Sequence, residues 1–78
     1  MKLTPENIAA MRMEVFNKVK DAKLRSQILT IAFAYGDEMK DDPNATDMMA
    51  WYLAQEENRH LIPKLAMEYQ GYTPDDLI

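Results

Sequence analysis

With 78 residues and no cysteine, this chain has to stay folded without disulfides. A domain of this length buries only ~60% of the surface that its unfolded form exposes. Small domains usually make up the shortfall with disulfides, a metal or a partner subunit. The first is excluded, so a metal, an oligomer or a closely packed helical core must supply the margin. The same lack of cysteine fits a reducing compartment.

Helix signals dominate, and they predict an all-α, three-helix up-down-up bundle forming one domain over residues 1–78. Thr4 is an N-cap residue followed by Pro5 and Glu6, the residues favoured in a first helical turn. Ile8, Met11, Val15 and Val19 then recur at helical spacing, with Ala9, Met13 and Phe16 widening the apolar face. The first helix is expected over about 5–19. No glycine or proline lies between Glu6 and Tyr35. Even so, the apolar stripe changes phase between Val19 and Leu24, and Asp21 can cap a new helix. A second helix is therefore expected over about 22–40, with Leu24, Ile28, Ile31, Tyr35 and Met39 on one face.

Leu29, Ala32 and Phe33 make that helix apolar nearly all round, more than two neighbours in one chain can cover. Self-association follows as an expectation, with Leu29, Phe33 and Met48 at the contact between subunits of a dimer or larger oligomer. Asp41-Asp42-Pro43-Asn44 reads as a turn. Asn44 or Thr46 caps a third helix over about 45–70, closed by Gly71 and kinked at Pro63, which removes a hydrogen bond to the Arg59 carbonyl. The segment 72–78, Tyr72 to Ile78, reads as a short tail whose Leu77 and Ile78 dock on a neighbour or fray.

Charge and motifs exclude more than they identify. Thirteen acidic against nine basic residues give a net charge of −4, the wrong sign for a nucleic-acid footprint. Met1 to Pro5 lack the apolar run of a signal peptide, and the longest apolar stretch, Ile31 to Tyr35, is far too short to cross a bilayer. A cytoplasmic protein without membrane contact is expected. A single serine, Ser26, at no recognisable elbow, and no cysteine argue against a nucleophilic enzyme. Two isolated glycines make no phosphate loop.

One constellation carries possible metal chemistry. Projected on a continuous third helix, Glu57 and His60 fill a gap in the apolar stripe, and Glu14 of the first helix stands at about their height. Carboxylate and imidazole ligands suit iron or manganese, and three-residue spacing puts both on one face. Glu57-Asn58-Arg59-His60 with Glu14 resembles half of a ferritin-like carboxylate site. That resemblance implies a metal site of Glu14, Glu57 and His60 completed by dimerisation. The structural reading, a Glu57–His60 pair or Arg59 neutralising a glutamate, is preferred, and no cofactor is expected on it. Trp51 and Tyr52 are adjacent and cannot both face one core. With Arg59 and Tyr69 they form a candidate set for clamping a small anionic ligand. The functional expectation is a non-enzymatic, oligomeric binding protein, holding a partner protein or a small anionic ligand at the subunit interface. Metal binding is the alternative.

Overall fold

The computed structural model describes residues 4–69. Among them are four α-helices and one 3₁₀ segment: α1 (Pro5–Lys18), α2 (Ala22–Glu38), α3 (Ala45–Ala54), the 3₁₀ turn Glu56–Leu61, and α4 (Ile62–Glu68). Gly71 and the tail 72–78, with Leu77 and Ile78, lie outside the described residues.

The first two helices begin where their side chains can cap them. The Thr4 hydroxyl accepts from the Asn7 N–H at 3.2 Å, and Pro5 occupies the first turn, where a missing N–H costs nothing. The Asp21 carboxylate accepts from the Leu24 N–H at 3.0 Å and opens α2. Between these helices the chain turns out at Val19, which is extended. The Val19 carbonyl then accepts from Nε and Nη2 of Arg25 at 3.2 and 2.7 Å, so a cation covers the negative end of α1. Asn44 stands at the start of α3, but its side chain makes no capping bond. Its N–H instead closes onto the Asp42 carboxylate at 2.9 Å.

The expected third helix is not one helix. It stops at Gln55, whose backbone is extended (φ −72°, ψ 132°), eight residues before Pro63. Side chains take over the carbonyls that α3 leaves exposed: Asn58 Nδ2 donates to Tyr52 O at 2.9 Å, and Arg59 Nη2 to Ala54 O at 3.0 Å. Electrostatics favour the break, because it places Glu56 and Glu57 in the first turn of a new segment and Arg59 and His60 in its last. Continued as one helix over 45–70, the two glutamates would fall in its middle and gain nothing from either end. Pro63 lies in the first turn of α4, a tolerated place, and kinks nothing.

Packing centres on α3. It contacts both α1 and α2, while α4 lies against α2, and α1 and α2 scarcely meet. The buried core joins Val15 and Val19, Ile28, Ile31 and Ala32, Ala50, Leu53 and Ala54, and Ile62. Small residues line the α2–α3 seam. A Cβ added to Gly36 would overlap Thr46 Oγ1, and one turn away in each helix come Ala32 and Ala50, both buried. Close approach there holds α2 and α3 together and leaves α1 splayed from α2. Of the apolar residues expected to widen the first helix's face, Met13 and Phe16 are 62% and 59% exposed. No helix among the described residues is long and apolar enough to cross a membrane.

Candidate binding groove

The splay of α1 from α2 opens a groove of about 420 Å³ over α3. Val15 and Phe16 of α1 form one wall, Leu29 and Phe33 of α2 the other, and Thr46 and Ala50 of α3 lie between them. The helices present these side chains for a shared reason. Phe16 and Phe33 flank the buried stripes of their helices rather than lying in them, so both remain partly open, Phe33 at 38%. Ala50 is small, and a larger side chain there would fill the space between the walls.

The charged side chains of its lining are Arg12, Asp47 and Arg25. At one end Arg12 Nε and Nη2 grip Asp47 Oδ1 and Oδ2 at 2.8 and 3.0 Å, a two-point bond from α1 to the first turn of α3. The hydrogen bonds and the charge of Asp47 hold the Arg12 guanidinium above its ordinary pKa. Beyond this pair lies a shallower hollow beside Pro5, Ile8 and Ala9, so the ion pair bounds the groove. Near the other end the Arg25 guanidinium stacks over the Phe16 ring, 4.8 Å from its centroid. Arg25 is half-buried, and no carboxylate among the described residues pairs with it.

The residues singled out from the sequence are distributed differently. Leu29 and Phe33, expected at a contact between subunits, line the groove within one chain. Met48 is 37% exposed and lies outside it. Glu14 lies against α3 with its side chain 39% exposed; its carboxylate accepts from Trp51 Nε1 and from Gln55 Nε2 at 3.0 Å, with Lys18 Nζ 3.8 Å away. Glu57 and His60 do not join it. Both are exposed, because the break at Gln55 ends the 3.6-residue projection that turned them inward. No group of three or more acidic or histidine side chains among the described residues is placed to hold a metal ion.

Trp51, Arg59 and Tyr69 engage different partners. Trp51 is half-buried against Glu14, and Tyr52 is 44% exposed. Arg59 bridges two helix ends, with Nη2 donating to Lys18 O at 3.1 Å and to Ala54 O, while its buried Nε finds no acceptor among the described residues. The 270 Å³ hollow beside it mixes Lys18 and Arg59 with Glu56 and Glu57, which largely compensate one another. Tyr69 reaches α2 instead and donates to Glu38 Oε2 at 3.1 Å. Burial first, then the bond to Glu38 and the neighbouring negative charges, raises the pKa of this phenol.

Among the groove residues that the sequence did not single out for binding are Arg12, Phe16, Arg25, Asp47 and Ala50. One signal was available. Phe16 sits next to Val15 in the first helix and Phe33 two residues after Ile31 in the second, each beside its stripe. Comparison with protein-family models, with curated proteins and with solved structures found no match.

Proposed function

We propose that this chain is a non-catalytic binding protein that holds a small apolar guest in the groove between α1 and α2. The carrying observation is the concavity itself: about 420 Å³, walled by Val15, Phe16, Leu29 and Phe33. Ligand sites of ~300–1,000 Å³ are typically apolar with a few polar groups at fixed points, and this groove has that make-up. Its lining also supports a binding role over a catalytic one. Among the described residues that line it, Asp47 is the one carboxylate, already engaged by Arg12, and none is a histidine, serine or lysine that could act as base or nucleophile. On this reading the exposed apolar side of α2 serves the guest, and a second subunit is not needed to explain it.

A neutral solvatochromic dye tests the proposal without engaging any charge. Nile red should bind the protein with a blue-shifted emission and a stoichiometry of about one. Phe33→Asp, which changes a wall residue outside the buried core, should weaken that binding at least tenfold while leaving the helical circular dichroism intact. Dye binding unaffected by Phe33→Asp would place the apolar site elsewhere. A doubled mass in light scattering together with no dye binding would show that a second copy covers the groove, against the proposal.

A further inference from the structure

We infer that the guest of this groove carries a single carboxylate, seated on Arg25, with an aromatic or similarly compact apolar body between Leu29, Phe33 and Ala50. The inference rests on the groove being the binding site and adds what the site selects.

Charge complementarity carries it. The chain is acidic overall, at −4, yet the cation lining the apolar part of the groove has no acid to balance it among the described residues. Arg12, at the far end, is already held by both oxygens of Asp47. Arg25 is different. Its Nε and Nη2 donate to the Val19 carbonyl, and its plane lies on the Phe16 ring, so two contacts fix the guanidinium in place. A guanidinium has five N–H donors, so the edge shared by Nη1 and Nη2 keeps donors beyond those two bonds. Parallel donors on such an edge match the two oxygens of a carboxylate. One cation suits one negative charge. A phosphate dianion would leave charge uncompensated beside apolar walls, at a desolvation cost. The groove's volume lies near the lower end of the ligand-site range, the scale of a bicyclic aromatic.

Two probes of matched shape decide it: 2-naphthoate and the neutral 2-naphthylmethanol, each titrated calorimetrically at pH 7 and low ionic strength. The expected result is that naphthoate binds at least tenfold more tightly than the alcohol. Arg25→Gln, whose side-chain amide can still donate to the Val19 carbonyl, should erase that preference. If that variant fails to fold, the parent protein still decides, because the preference should shrink as salt is raised to 0.5 M. Equal affinity for both probes would overturn the carboxylate inference and leave the groove standing. A naphthoate preference that survives Arg25→Gln would overturn it too, by placing the anion elsewhere. Binding of neither probe would remove both readings.

Discussion

Single side chains in this protein mostly close what the helix ends leave open. Arg25 covers the end of α1, Arg59 bridges the ends of α1 and α3, and Asn58 takes a carbonyl of α3. Glu14 has the same kind of work, tying Trp51 and Gln55 to α1. Its replacement by alanine leaves a half-buried indole N–H without its acceptor, a loss of ~1–2 kcal/mol. Glu14→Gln keeps an oxygen acceptor and should stay within ~1 kcal/mol of the parent. Urea unfolding checks both. Equal losses in the two variants would mean that the charge, and not the acceptor, matters. Tyr69 gives the pH counterpart. Its pKa is higher in the folded chain than the ordinary value of about 10, so folding favours the protonated phenol. The stability it contributes is complete below pH 10 and lost as pH rises from about 10 through the raised value. The urea midpoint should therefore fall more steeply between pH 9 and 11 in the parent than in Tyr69→Phe. Parallel curves would contradict this account of the Tyr69–Glu38 contact.

Among the elements, the α2–α3 seam decides the shape of the molecule. Alanine in place of a helical glycine ordinarily gains up to ~1 kcal/mol. At Gly36 the added methyl would overlap Thr46 Oγ1 and stand 3.1 Å from Thr46 Cβ. Gly36→Ala should therefore destabilise the protein, by ~1–3 kcal/mol on the scale of an overpacked core. Thr46→Ala in the same chain should recover most of it, as a thermal-melt double-mutant cycle would show. A stabilised Gly36→Ala would mean the seam is looser than this. The same elements show what could be read from residue order alone. The starts of α1 and α2 were legible because Thr4 and Asp21 cap through neighbours three residues on. The break at Gln55 was not, since no glycine or proline marks it. It depends on Asn58 and Arg59 reaching back to α3 and on Arg59 reaching across to Lys18, 41 residues earlier. Pro63 is the only proline or glycine between Ala45 and Gln70, yet it sits where a helix begins.

At the scale of the whole molecule, α3 lies between α1 and α2 and keeps them apart, and the groove follows from that separation. The helical class was legible from periodicity, because buried stripes such as Met11, Val15 and Val19 depend only on local spacing. The groove was not, because its walls are the residues beside the stripes, and their orientation is set by how far the helices splay. Leu29 and Phe33 were visible as surplus apolar surface, but what they face is a tertiary fact. Glu14, Glu57 and His60 are not brought together within the chain for a related reason: a projection on one continuous helix cannot survive a break within it. The central claim is that apolar guests enter between α1 and α2. Amide chemical-shift mapping on ¹⁵N-labelled protein titrated with 2-naphthylmethanol tests it most directly. The account predicts saturable shifts concentrated at Val15, Phe16, Leu29, Phe33, Thr46 and Ala50. Shifts centred instead on Trp51, Tyr52 and Arg59, or none at all, would contradict it.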